Sequence, residues 1–117
     1  MNKFTVDINV DVGEGVGNES QLIPYASSCN IACGGHAGNS STMQKVVKLA
    51  KQHRVKIGAH PSFPDVENFG RKPMNMPCVA LFASLKSQID DLRHVMHAEN
   101  AMLHHVKPHG ALNNMAV

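Results

Sequence analysis

Three of the eight histidines in the sequence have surroundings typical of reactive groups. His36, His60 and His109 each follow a short β-like run and lie beside Gly or Pro. The other five lie in or beside segments with ordinary helical or strand patterns. In parallel β/α proteins, reactive groups collect at the carboxyl ends of the strands. These three histidines are therefore the first candidates for a functional site.

Further polar residues lie on the same runs or just after them, and they extend the candidate set to Asn9, Asp11, Glu14, Asn30 and Lys107. Imidazole and carboxylate groups suit Zn, Mn, Fe or Ni, and they can equally act as general acid and base at a carbonyl. A lysine in such a group could stabilise an oxyanion or hold a carboxylate or phosphate. The spacing leaves metal binding and acid–base catalysis open. A single histidine is more often structural, but recurrence at three strand ends favours a site.

The elements that must position these residues follow from hydrophobic periodicity. Apolar runs predict four strands, at 4–12, 28–33, 55–59 and 103–107. A helix is predicted from Ser41, where Ser41 and Gln44 form a capping-box pattern, to His53 or Arg54. A second helix is predicted from Pro77, with an apolar stripe of Phe82, Leu85, Ile89, Leu92 and Met96. Residues 61–77 form a long proline-rich loop, and residues 111–117 begin another helix. This alternation predicts α/β class with a parallel sheet.

Length and composition restrict the function classes. The chain has 117 residues, of which 43% are hydrophobic and 17% charged, so we expect a single globular domain over 1–117. A complete (β/α)8 barrel needs about 250 residues. The small net charge of +2 and the absence of Trp argue against a nucleic-acid partner. No run approaches the ~20 apolar residues of a membrane helix, and residues 1–12 lack the apolar core of a signal peptide. A cytoplasmic location without membrane attachment is the expectation.

Four motifs in order resemble those of one family. Residues 9–14 resemble its N-x-D-x-G-E opening, and residues 30–38 its N-I-A-C-G-x-H-A-G segment. Residues 58–71 resemble G-A-H-P-S-[YF]-P-D…F-G-R, and residues 104–112 contain H-V-K-P-H-G-A-L. Together they identify the sequence as similar to the LamB/YcsF family. The chain departs from the family pattern at Val10, Gly35, Asn39 and Asn113.

The resemblance implies a fold and an activity. The fold would be a TIM-like, deacetylase-type β/α barrel, of which about the first four strand–helix units are present. The activity would be the ATP-dependent hydrolytic opening of 5-oxoproline (pyroglutamate) to L-glutamate, with ATP as co-substrate, in a complex with two further 5-oxoprolinase subunits. No G-x-x-x-x-G-K-[ST] motif occurs, so ATP is expected to bind partner subunits or a missing half. Half a barrel leaves two sheet edges open, which makes self-association through those edges a further expectation.

The residues carried by this resemblance divide into three groups. We expect the catalytic residues to be Asp11, Glu14, His36, His60, Lys107 and His109. We expect Asn9, Asn30 and Arg71 to bind the small-molecule substrate. If a divalent metal is present, its expected ligands are Asp11, His60 and His109.

Two other functions are left open by the sequence. The first is a metal-dependent, deacetylase-like hydrolase that uses the same residues without ATP. The second is a truncated, non-catalytic fragment or assembly scaffold that retains the family motifs.

Overall fold

The computed structural model describes residues 3–116. Four strands and four helices follow one another in chain order, with one 3-10 turn at Ile23–Tyr25. The strands are β1 (Asn9–Val12), β2 (Ser28–Ala32), β3 (Lys56–His60) and β4 (Leu103–Val106). The helices are α1 (Glu19–Leu22), α2 (Ser40–Gln52), α3 (Cys78–Ala98) and α4 (Gly110–Met115).

The four strands form one parallel sheet in the order β1-β2-β3-β4, which confirms the predicted α/β class. Each strand pairs with its neighbour in sequence, as in a β/α barrel. A doubly wound sheet would instead reverse its strand order. The register aligns Asp11, Asn30, Gly58 and His105 in a single row across the sheet. Within the described residues, β1 and β4 are the two edges of this sheet.

Alternation along the strands separates an apolar face from a polar one. The apolar face packs under α2, and its buried residues include Cys29, Ile31, Ile57, Ala59, Met43, Val46, Val47 and Ala50. The alternate residues of the same strands, such as Asn30 on β2 and His60 on β3, are also buried but face the other way. The polar face therefore carries the candidate residues, and the helices cover the opposite face.

A β-bulge changes which residues of β4 reach the polar face. Ile57 pairs with Leu103, but the next residue, Gly58, pairs with His105, so His104 is an extra residue in β4. Without the bulge, His105 would share the helix-covered face with Leu103. With it, the side chain of His105 reaches Asn30 across the sheet. The bulge thus brings one more histidine to the candidate site.

The first strand differs from its prediction. The predicted strand at 4–12 is wrong over its first half, since Phe4 and Val6 are 90% and 77% exposed. Asn9 already pairs with Ser28, the first residue of β2, so within the described residues no strand lies beside 3–8. After β1, a short helix that the periodicity did not predict, α1, begins at Glu19.

The helices α2 and α3 also differ from their predictions in detail. Helix α2 is capped by Asn39, whose side chain accepts a hydrogen bond from the Thr42 amide at 2.9 Å, and not by Ser41. On α3, Met96 is buried as predicted, whereas Phe82 is 69% exposed. A polar residue, Gln88, is buried on this helix instead. None of the helices within residues 3–116 is both long enough and apolar enough to cross a membrane.

Candidate functional site

Four side chains meet at the carboxyl ends of the strands. We call Glu14, His36, His60 and His109 the histidine cluster; one potential ligand atom from each lies within 4.8 Å of the others. His60 ends β3, and His109 immediately precedes α4. Glu14 and His36 lie on the turns that follow β1 and β2. The predicted convergence of these residues on one edge of the sheet is what the structure shows.

Each histidine of this cluster has one ring nitrogen bound to an oxygen outside the cluster. His60 Nδ1 donates to the Lys107 carbonyl at 2.6 Å, and His109 Nε2 donates to the Phe69 carbonyl at 2.8 Å. A carbonyl can only accept, so these two nitrogens carry the ring protons. His36 Nδ1 lies 3.0 Å from the hydroxyl of Ser62.

The remaining ring nitrogens of the histidines point at one another and at Glu14. His60 Nε2 and His109 Nδ1 are 3.1 Å apart. Burial lowers the pKa of both histidines, and the charge of His36 lowers each further, which favours their neutral forms. In the neutral forms, two lone pairs face each other with no proton between them. A cation placed between them would remove this conflict.

Glu14 supplies the negative charge of the cluster. Its Oε2 lies 2.5 Å from His36 Nε2, 3.7 Å from His109 Nδ1 and 3.9 Å from His60 Nε2. Burial raises the pKa of the Glu14 carboxyl, but the hydrogen bond and charge of His36, together with the charges of His60 and His109, lower it by more, so the pKa is lowered overall. An ionised carboxylate therefore faces three imidazole nitrogens.

This donor set fits a divalent metal. Three imidazole nitrogens and a carboxylate are ligands that Zn, Mn, Fe and Ni accept. Metal-binding histidines almost always donate the other ring nitrogen to a carbonyl, carboxylate or water, as His60 and His109 do here. The set differs from the predicted ligands Asp11, His60 and His109. Asp11 lies beside the cluster, with its Oδ2 3.5 Å from His60 Nε2, while Glu14 and His36 complete the group.

A second polar group lies one row further from the strand ends. We call Asn9, Asp11, Asn30 and His105 the amide cluster. The fully buried Asn30 is its centre: Nδ2 donates to Asn9 Oδ1 at 2.6 Å and to Asp11 Oδ1 at 2.9 Å. Its Oδ1 accepts from His105 Nε2 at 2.6 Å. Every hydrogen-bonding group of the Asn30 amide is therefore used inside the protein.

Asp11 connects the two clusters. Its Oδ1 accepts from Asn30 and, at 3.1 Å, from the Lys107 ammonium, while Oδ2 faces His60. Burial raises the pKa of Asp11, but the Asn30 hydrogen bond, His60 and Lys107 lower it by more, so the pKa falls overall. An ionised, oriented carboxylate thus lies beside the histidine cluster and is about one-third exposed.

The sequence profile of one family matches residues 6–117 of this chain, which includes every residue of both clusters. The chain belongs to the LamB/YcsF family. It is 47% identical to the A subunit of 5-oxoprolinase from Bacillus cereus strains AH187 and Q1, over 96% of this chain and 46% of each relative. The crystal structure of the lactam utilization protein from Thermus thermophilus superposes with a TM-score of 0.88 at 43% identity. That match covers 93% of this chain and 46% of the other. The chain spans about half the length of the relatives it matches.

The third substrate-binding candidate of this LamB/YcsF chain, Arg71, lies at the rim of the histidine cluster. Its guanidinium lies 4.9 Å from the centre of the Phe69 ring. That ring packs edge-on against His36 and His109, with centroid distances of 4.9 and 5.2 Å. Arg71 is exposed, so its charge is available to a ligand.

Four residues of the candidate site were not predicted from the sequence. Ser62, Phe69 and His105 lie inside the family motifs, but nothing in their types marked them as partners of the candidate residues. Gln88 carried a weak signal, because it lies beside the apolar stripe predicted for α3. His105 could not be assigned from strict alternation, since its orientation depends on the bulge in β4.

Proposed function

We propose that this chain contributes the hydrolytic site of a 5-oxoprolinase, which opens 5-oxoproline to L-glutamate with ATP as co-substrate. The observation that carries the proposal is the convergence of three imidazole nitrogens with the carboxylates of Glu14 and Asp11. The names of the Bacillus relatives and of the Thermus structure, which concern 5-oxoprolinase and lactam utilization, support the choice of substrate. By the same analogy, the working enzyme is a cytoplasmic complex with two further subunits.

Two cations at the rim suit a substrate that bears a carboxylate. The Lys107 side chain is 47% exposed, and the Arg71 guanidinium extends over Phe69. We assign the substrate carboxylate to one of them and the lactam ring to the space above the histidine cluster. Asn9 is exposed and could contact the ring, whereas buried Asn30 acts on Asp11.

The steps of ring opening are shared between the partner subunits and this chain. Transfer of the ATP γ-phosphoryl group to the lactam oxygen, with release of ADP, makes the ring carbon electrophilic; we assign this step to a site completed by the partner subunits. Water then adds to that carbon, and the C–N bond breaks as nitrogen takes a proton. A second water releases phosphate from the acyl phosphate and leaves glutamate.

Asp11 is our assignment for the base that takes the proton from the attacking water, because it is ionised and faces His60. General-base catalysis of this kind contributes about 10²–10⁴-fold. His60 lies between Asp11 and the rest of the cluster and can pass the proton on.

Glu14, His36, His60 and His109 are the residues that would hold a divalent metal. Such a metal, when bound, acts as a Lewis acid that polarises a carbonyl oxygen. The same residues would serve a deacetylase-like hydrolase that needs no ATP, which is the second candidate function.

The test is an assay of glutamate release from 5-oxoproline by this chain reconstituted with the partner subunits. We expect Asp11→Asn to reduce turnover about 10²–10⁴-fold, while the control His94→Asn, on the exposed face of α3, leaves turnover unchanged. Lys107→Met, at an exposed position, should raise KM. Turnover that persists without ATP would favour the deacetylase-like function. A complex that assembles and turns over equally with Asp11→Asn would show that this chain is a scaffold.

A further inference from the structure

Gln88 is a buried polar side chain on the otherwise apolar inner face of α3 and is only 6% exposed. Its Oε1 accepts from the Ser62 amide at 3.0 Å, and its Nε2 donates to the Ser62 carbonyl at 2.9 Å. The second Nε2 proton reaches Ser84 Oγ at 3.2 Å. A buried amide is costly unless it is hydrogen-bonded. All of its groups are used here, and two of its bonds hold the main chain of one residue.

Ser62 connects this contact to the histidine cluster. The residue is fully buried, and its hydroxyl donates to the Phe63 carbonyl at 2.9 Å. A hydroxyl has a single proton, so toward His36 Nδ1, 3.0 Å away, Ser62 Oγ can only accept. His36 Nδ1 therefore carries a proton, which it donates to Ser62, while Nε2 makes the hydrogen bond to Glu14.

The space beside Gln88 and Ser62 is kept free by Gly35, the residue before His36. A Cβ at this position would overlap both Gln88 Oε1 and Ser62 Oγ. Any larger residue would have to displace one of these two atoms. The glycine thus leaves room for both hydrogen-bonding partners next to the histidine that they hold.

We propose that Gln88 and Ser62 are positioning residues that keep a proton on His36 Nδ1 and so direct Nε2 toward Glu14 and toward a divalent cation in the histidine cluster. The effect on cation affinity rests on the metal site proposed above. The Nδ1 proton of His36 does not depend on it, and it can be measured in the metal-free protein.

The first experiment detects the Nδ1 proton directly. Long-range ¹H–¹⁵N spectra of the metal-free full chain, with His36 assigned from a His36→Gln variant, show whether each ring nitrogen carries a proton. We expect a proton on Nδ1 in the wild type and a smaller protonated fraction of Nδ1 in Ser62→Ala, which has no acceptor there. Gln88→Met, which keeps the length of the side chain and removes the amide, should shift the spectrum in the same direction. The control Ser84→Ala removes only the outer bond of Gln88 and should leave the spectrum unchanged.

The second experiment is a calorimetric titration of the same proteins with Zn²⁺ alone. Loss of a residue that orients a metal ligand typically costs 10–100-fold in affinity. We expect a loss of about this size for Ser62→Ala, a smaller one for Gln88→Met, and none for Ser84→Ala. Circular dichroism of each variant shows that the fold is retained.

The outcomes separate this inference from the proposed function. A wild-type His36 with no proton on Nδ1, or a Ser62→Ala variant with wild-type spectrum and Zn²⁺ affinity, would overturn the positioning role. A wild type that binds no Zn²⁺ would refute the metal site, while the spectra alone would still decide whether Ser62 and Gln88 keep the proton on Nδ1.

Discussion

The two polar clusters are neighbours on one face of one sheet, yet their hydrogen bonding differs. Donors and acceptors are matched in the amide cluster, whereas acceptors face acceptors in the histidine cluster. In the amide cluster, each proton of Asn30 finds an oxygen, and the Asn30 oxygen finds the protons of His105 and Asn9. In the histidine cluster, lone pairs of His60 and His109 face each other 3.1 Å apart, beside an ionised Glu14.

This difference indicates which cluster is stable without a ligand and which one needs a proton or a cation. Buried groups that satisfy one another rigidify a structure, whereas acceptors that face acceptors need a proton or a cation. The amide cluster therefore supports the structure, and the histidine cluster is the part that binds a ligand. Asp11 belongs to the first and faces the second.

The most direct test of this division of roles is to substitute one residue in each cluster and to titrate both variants with Zn²⁺. We expect His60→Ala to weaken Zn²⁺ affinity by more than the 10–100-fold typical of supporting residues, because it deletes a proposed ligand. Asn9→Ala, in the amide cluster, should leave the affinity nearly unchanged. Equal losses in the two variants would mean that the clusters do not divide their roles in this way.

In the metal-free protein, we expect a substitution in the amide cluster to lower stability more than one in the histidine cluster. Asn30→Ala would remove the buried partner of polar groups on Asn9, Asp11 and His105, and each group left unsatisfied out of reach of water costs about 1–3 kcal/mol. We expect the free energy of unfolding to fall by about 2–3 kcal/mol in urea titrations. Asn113→Ala, at an exposed position on α4, is the control and should change little. A loss no larger than that of the control would show that the amide cluster does not support the fold.

The contact between Gly58 and His105 tests the packing of the amide cluster at one position. A Cβ at Gly58 would overlap the His105 ring, so Gly58→Ala should cost about 1–3 kcal/mol through overpacking. In a double-mutant cycle, the same change in a His105→Ala background should cost much less, because the overlapping ring is gone. Additive effects, measured by chemical denaturation, would place the cost of Gly58→Ala elsewhere.

The smallest expected effect is on the pH dependence of stability. Burial lowers the pKa of His105 from 6.5, and the charges of His104 and Lys107 lower it further, while Asp11 lies across the shared Asn30. Its contribution to stability is complete above the unfolded pKa near 6.5 and is lost as the pH falls toward the lower folded value. We therefore expect His105→Gln to flatten the fall in stability between neutral and mildly acidic pH, measured by denaturation at several pH values. His94→Gln, exposed on α3, should keep the wild-type slope.

The sequence was sufficient to predict the α/β class, the parallel sheet and the convergence of Glu14, His36, His60 and His109. These follow from local apolar runs and from a general property of parallel sheets, neither of which needs knowledge of long-range packing. The start of β1 was wrong because the alternation of residues 4–8 carries no information about whether a neighbouring strand exists. The cap of α2 was wrong by two residues because Asn39 and Ser41 are both good caps, and only the chain path chooses between them.

The parts of the site that escaped prediction depend on geometry between distant segments. His105 reaches Asn30 only because a single extra residue in β4 reverses the facing of the strand. Gln88 and Ser62 are 26 positions apart, and their contact depends on where α3 lies against the loop after β3. Periodicity describes one element at a time, so relations of this kind lie beyond it.

The partners of the three histidines also differ in how they can change during evolution. His60 and His109 are held by main-chain carbonyls, of Lys107 and Phe69, which persist whatever side chain occupies those positions. His36 alone is held by a side chain, that of Ser62. Single substitutions can therefore adjust one arm of the cluster while the other two stay as they are. In related chains, we therefore expect substitutions at position 62, and at the residues that contact it, to change the cation affinity of the histidine cluster.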